Sequence, residues 1–255
     1  MPLDGRSEFI KRLFHIEIVN DINDYMNTSY STSPIHERRH QGPPLLLLAL
    51  IYAALMVAGA TQLGKTFRIP HDSAAEAVAF VANFGWSIRL GSFFELSSAV
   101  LFGLFVAVTV SRLRFLGVRA AGELIALCGG VGATIMLMLS SLSGWSVTRP
   151  GIAGADGAVR ALQALAFAGG GPGFVVPLGL FVAGVSITAG LHKLIPRWLM
   201  WLGIFVAAAC ELATLTLVVW NAAYFIPVGR FISVLWMIGV AVTLPKAMSG
   251  EREQV

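Results

Sequence analysis

Charge is scarce in this chain of 255 residues: 13% of it is Asp, Glu, Lys or Arg, and 56% is hydrophobic. A soluble domain carries roughly 25% charged residues, so the composition points away from water. Cysteine is nearly missing. Cys128 and Cys210 both fall inside apolar blocks, where they read as small buried hydrophobes. No disulfide framework follows from two such residues, and no Cys-x-x-Cys or His-x-x-x-His pair inside an apolar block offers a metal site. His36 and His40 have the right spacing, but they lie in a polar tail after Pro34 and read as solvated. His15, His71 and His192 also lie outside the apolar blocks or at an edge, so no histidine pair is placed to hold a haem between helices. No Ser–His pair at membrane depth supports a hydrolase. The glycine run at 169–173 lacks the following Lys-Ser/Thr of a phosphate loop. The net charge is +4, without a basic helix or a basic–aromatic stripe, so nucleic acid is not an expected partner. Neither a cofactor nor a metal is expected.

What is abundant is Ala, Leu, Val, Phe and Gly, in blocks of about 20 residues, the length that crosses a bilayer as a helix. Alternating ten-residue segments of the β-barrel kind do not occur. The fold class is therefore all-α, a polytopic transmembrane helix bundle. Spans are predicted at 44–62, 90–110, 121–143, 173–190, 199–220 and 226–245. Residues 1–43 read as a largely disordered N-terminal tail with a short amphipathic stretch from Phe9 to Val19, 44–247 as the six-span domain, and 248–255 as a short C-terminal tail. Met26 is a candidate alternative start.

Two short surface helices are predicted on the outer side. One opens with Ser73-Ala-Ala-Glu76, a capping-box pattern, and carries Ala77, Phe80, Val81 and Phe84 at helical steps. The other, "ADGAVRALQALAFA", precedes Gly169, Gly170, Gly171, Pro172 and Gly173. This run cannot continue a regular helix without cost. It is either a loop before the span or a helix break whose backbone faces a polar cavity. "GLFVA" occurs at 103–107 and at 179–183, each copy preceded by a short helix and followed by a basic turn. The two would be parallel units of surface helix, descending span and ascending span.

With the N-terminus inside, Arg38, Arg39, Arg112, Arg114, Arg119, Lys193, Arg197, Lys246 and Arg252 fall on the inner side. Lys65, Arg68, Arg89, Arg149, Arg160 and Arg230 fall outside. The excess predicts both termini in the cytoplasm. Trp86, Trp145, Trp198, Trp201 and Trp220 sit at span edges as interface anchors.

Three carboxylates lie in or near spans. Glu123 starts the third span one turn after Arg119 and reads as an i,i+4 surface pair. Glu95 and Glu211 lie deeper, in the outer half of the membrane, as does Arg230 on the sixth span. A charge at bilayer depth costs about 2.5–3.5 kcal/mol on insertion scales. Charge-assisted hydrogen bonds to one arginine would offset it. Small residues surround both acids at helical spacing: Gly91, Ser98, Ala99 and Gly103 near Glu95, and Gly203, Ala207, Ala208 and Thr214 near Glu211. These faces are predicted to point inward. Glu95, Glu211 and Arg230 are thus expected to form one intramembrane polar cluster. In it Glu211 is either an ion-pair member or a protonatable group.

"FFELSSAVLFGLFVAVTVSRLRFLGVRAAGELIAL", "LAFAGGGPGFVVPLGLFVAGVS" and "IPRWLMWLGIFVAAACELATLTL" resemble a family of uncharacterised bacterial integral membrane proteins with six or seven spans. The resemblance covers roughly 45–247 and implies the bacterial inner membrane, with no activity or catalytic residue to carry over. Two functions remain as expectations. One is a small transporter or permease-like protein built on the buried carboxylates. The other is a non-catalytic membrane component that binds a protein partner or lipid through its helices. An enzyme ranks behind both. Membrane lipids are the one partner implied directly; a small-molecule ligand, a protein partner and the oligomeric state stay open.

Overall fold

Pro43 and Pro44 set the start of the first helix, because a proline at a helix entrance removes only an amide that has no helical acceptor. Leu48 N–H donates back to the Pro44 carbonyl at 3.2 Å. The structure, a computed structural model, describes residues 39–63 and 73–247. The tail readings for 1–38 and 248–255, with His15, His36 and the alternative start Met26, lie outside the described residues. So does the segment 64–72, with Lys65, Arg68 and His71.

The helices are α1 (Leu45–Leu63), α2 (Ala74–Phe115), α3 (Ala121–Val147), α4 (Asp156–Ala168), α5 (Phe174–Leu191), α6 (Arg197–Leu212) and α7 (Phe225–Thr243). A π-helical segment, Gly169–Gly173, joins α4 to α5. Two 3₁₀ turns, Ala213–Leu217 and Trp220–Tyr224, join α6 to α7. Six helical stretches among the described residues are long and apolar enough to cross a membrane, with α4, the π segment and α5 counting as one. The fold is the expected transmembrane helix bundle.

The outer helices differ from expectation. The segment after Ser73 does not lie apart on the surface but runs on into the second span as one helix of 42 residues. That is about 63 Å of rise, twice the roughly 30 Å of a bilayer core. Ser73 does cap it, its Oγ accepting from Glu76 N–H at 3.2 Å. No proline separates the two parts, and a glycine inside a helix costs only about 1 kcal/mol. The apolar face found in the sequence packs on protein: Ala77, Val81 and Ile88 meet Val147 of α3 and Val159 of α4 in a small separate core. Arg89 ties the same end together, donating to the Oγ1 and to the carbonyl of Thr148, the C-cap residue of α3.

In the main bundle, α1, α2, α3, α5, α6 and α7 pack in a closed ring, each on the next, with α7 returning to α1. Tyr52, Phe102, Phe105, Phe174, Phe181 and Trp236 fill the middle. Phe181 is the hub, its ring 5.7 Å from Phe102, 6.3 Å from Phe105 and 5.9 Å from Trp236, all edge-on. Phe105 and Phe181 are the equivalent residues of the two "GLFVA" copies. α3 and α5 approach very closely. A Cβ on Gly129 would lie 2.6 Å from both Phe181 N and Pro177 O, so only glycine admits that approach. Several serines and threonines along the spans bond to carbonyls three or four residues back, as Ser97 does to Phe93 and Thr134 to Gly130.

Both ends of the described chain meet at one end of the bundle. Arg39 and Ala247 form an antiparallel bridge, and His40 N–H donates to Lys246 O at 2.9 Å. His40 is therefore not a solvated tail residue. Its Nε2 lies 3.0 Å from Ser111 Oγ, and its ring packs edge-on against Phe115 at 5.5 Å. Burial and then the nearby Arg112 charge hold its pKa below the usual 6.5.

Candidate functional site

Glu95 projects from α2 on the face that carries Gly91, Ser98, Ala99 and Phe102, all turned inward. Arg230 projects from α7 one residue after buried Gly229. The two form an ion pair, Arg230 Nη2 to Glu95 Oε1 at 3.1 Å. Helical rise places Arg230 about 20 Å from the α7 terminus at Thr243, and Glu95 about 25 Å from Arg112. Both thus lie in the half of the span remote from the Arg39–Ala247 end.

The same arginine holds the helix break. Arg230 Nη1 donates to the Gly170 carbonyl at 3.2 Å, and its guanidinium carbon stands 5.3 Å from the centre of the Phe174 ring. Gly169–Gly173 is not a loop. It is buried π helix inside a continuous helical element, with its regular geometry lost at Gly171 (φ −90°, ψ −111°). Pro172 offers no amide to the turn before it. The missing side chain at Gly170 matters, because a Cβ there would stand 2.5 Å from Ser140 Oγ and 3.4 Å from Glu95 Oε1. Ser140 of α3 completes the arrangement. Its Oγ lies 2.9 Å from the Ala166 carbonyl and 3.3 Å from Glu95 Oε2.

Tyr52 is the member that no local pattern announced. Its side chain is 1% exposed and lies within electrostatic reach of both Arg230 and Glu95. Its hydroxyl has no hydrogen-bond partner among the described residues. A buried hydroxyl left in that state costs about 1–3 kcal/mol.

Glu211 does not join the cluster. It lies on the exposed side of α6, beside Leu212 and near Gly179 of α5, with no hydrogen bond or ion pair among the described residues. The reason is angular. At 100° per residue, Glu211 stands about 80° off the direction of Gly203, while Cys210 is about 20° off it and takes the inward place. Cys210 is buried there, whereas Cys128 faces outward. Glu123 is corrected as well: its partner is Arg114 of α2, at 3.0 Å, rather than Arg119, and it is buried. Among the described residues no group of three or more His, Cys, Asp or Glu is placed to hold a metal ion.

The fold and the Glu95–Arg230 pair define a multi-pass helical membrane protein with a polar site inside its bundle. No family model, no curated protein and no solved structure matches the chain.

Proposed function

We propose that the protein is a small transporter or permease-like protein of the bacterial inner membrane, with both termini in the cytoplasm, working through the Glu95–Arg230 site. One observation carries this reading: a partly buried arginine binds a carboxylate and, at once, the backbone carbonyl of a broken helix. Irregular backbone at membrane depth is tolerated where protein buries it or where it lines a cavity, and intramembrane ion pairs commonly mark solute or ion paths. Here the pair and the break share one side chain, so binding at the pair is linked to the geometry of the α4–α5 element.

The test is reconstitution into liposomes and a screen of radiolabelled amino acids, organic cations and inorganic ions, with and without a pH gradient. Wild type should move at least one class. Arg230→Met should abolish that uptake, and Glu211→Gln should retain it. A wild-type protein that moves none of them overturns the reading.

A second reading, a non-catalytic component that binds lipid or a protein partner, is favoured by Glu211 itself. Its carboxylate lies among the exposed apolar side chains of Leu212, Leu215 and Leu180. Native mass spectrometry of the purified protein should then show a bound lipid or partner that Glu211→Gln sheds.

A further inference from the structure

Two hairpins of the ring are the same hairpin built twice. The offset that relates Phe105 to Phe181 also carries Phe115, the end of α2, to Leu191, the end of α5. It carries Ala121, the start of α3, to Arg197, the start of α6. The turns agree bond for bond. Leu116, Gly117 and Val118 N–H donate to the Arg112, Arg114 and Leu113 carbonyls, and His192, Lys193 and Leu194 N–H donate to the counterparts, Thr188, Gly190 and Ala189. Gly117 (φ 83°) and Lys193 (φ 54°) take the same left-handed place after the helix, although the two turn sequences share no residue in register.

The third hairpin place in the ring, between α6 and α2, belongs to α7 and α1. α7 runs into the Arg39–Ala247 end and α1 leaves it, but no turn joins them. The Arg39–Ala247 bridge and the His40 N–H bond to Lys246 O stand where the other two hairpins have their turns. The His40 side chain pins this clasp to Ser111 and Phe115 at the end of α2. A covalent turn keeps its helices together; a clasp of a few hydrogen bonds opens by local unfolding. We propose that the clasp is a gate: α1 swings from α7 at the clasp end and opens a way between them to the Glu95–Arg230 site. The site lies on that seam, since α1 supplies Tyr52 and α7 supplies Arg230. Tyr52 stands about 10 Å of helical rise from Leu45. A solute entering at the clasp meets its hydroxyl, which has no partner among the described residues, and Arg230 beyond it. Leu45, Leu48 and Ala49 of α1 and Val240, Ala241 and Leu244 of α7, buried near the clasp, are apolar side chains with no hydrogen bond to break. The far part of α1 stays seated on α2, where Gly59 faces Gly91 and Phe94. This deepens the transport reading, on which the gate's physiological meaning rests, but the gate can be tested without any transport.

The experiment measures how fast a small cationic methanethiosulfonate modifies Tyr52→Cys. It uses the purified full-length protein in detergent, in a background lacking Cys128 and Cys210. Arg39→Cys with Ala247→Cys adds a lock, since a bridged pair stands at a separation that a disulfide spans. The oxidised protein should react far more slowly, and reduction before labelling should restore the unlocked rate. His40→Ala, which removes the Ser111 and Phe115 contacts, should raise the rate several-fold, and Ser111→Ala should raise it less. Ala133→Cys, buried on α3 away from the seam, should keep its rate in every background, which separates the gate from general loosening. A Tyr52→Cys rate that ignores both the lock and His40→Ala would overturn the gate, as would an equal rise at Ala133→Cys. Clasp control in a protein that moves no solute would leave the gate standing and remove the transport reading. Solute uptake by a protein whose Tyr52→Cys rate ignores the clasp would do the reverse.

Discussion

One residue, and 100° of helix rotation, separates Cys210 from Glu211. Small neighbours at three- and four-residue steps marked the inward stripe of α6 correctly at Gly203 and Ala207, both buried. Followed four residues at a time, that stripe drifts, and by Glu211 it had passed to Cys210. Glu95 was legible because Gly91, Ser98, Ala99 and Phe102 bracket it closely on both sides. Tyr52 and Ser140 were not, since hydroxyls in apolar helices are common and only the assembled ring puts these two beside Glu95 or within its reach. Glu211→Gln should change stability by no more than about 0.5 kcal/mol, as for a surface position without partners. Glu95→Ala should cost about 3 kcal/mol by leaving Arg230 without its carboxylate. Thermal unfolding in detergent reads both. His40 escaped the local pattern for a different reason: its partners Ser111, Phe115 and Lys246 come from distant parts of the chain. Its lowered pKa means that the unfolded chain binds the proton more readily than the folded one. The stability it supports is fully present above pH 6.5, its ordinary pKa, and is lost as pH falls through the depressed folded value. Melting temperature should drop on acidification from about pH 7.5 to 5, and His40→Asn should flatten that part of the slope.

At the scale of elements, hydropathy found a long apolar helix at each of the six predicted spans, because a bilayer demands a length that composition displays directly, though the second and fourth begin far upstream, at Ala75 and Asp156. It did not settle how the flanking helices join the spans. A stretch such as 73–89 looks the same whether its apolar face meets lipid or Val147 and Val159. The glycine run left two alternatives for a similar reason: Gly-Gly-Gly-Pro-Gly is compatible with a loop and with a π turn, and the choice rests on Arg230 and Ser140, far away in sequence. The glycines of α3 were easier to read, as small residues repeated within one span signal close packing. Gly129→Ala is expected to lose about 1–3 kcal/mol through overpacking, since the atoms its Cβ would strike are α5 backbone and cannot swing aside. A melting temperature equal to wild type would mean that the α3–α5 contact is looser than described.

For the whole molecule, six crossings and the Arg39–Ala247 bridge put both ends of the described chain on one side. Which side that is rests on the charge bias. Single cysteines at Arg119 and at Gly154, in a background lacking Cys128 and Cys210, should label from opposite faces. An impermeant reagent added to intact cells should reach Gly154, whose surroundings are open, and should miss Arg119. The reverse result would invert the orientation.

Ala168, the last residue of α4, stands where that helix meets the π segment, and Asp156 ends its far tip about 20 Å away by helical rise. A pivot of about 10° at Gly171 would carry that tip sideways by about 3.5 Å over such a length. That distance is enough to part Val159 from Ala77 and Val81 in their small separate core. α4 is thus a lever whose fulcrum lies beside Arg230. A change in how Arg230 holds the Gly170 carbonyl would be read at the far tip of α4, and the distance between spin labels on α4 and on the first turns of α2 would measure it.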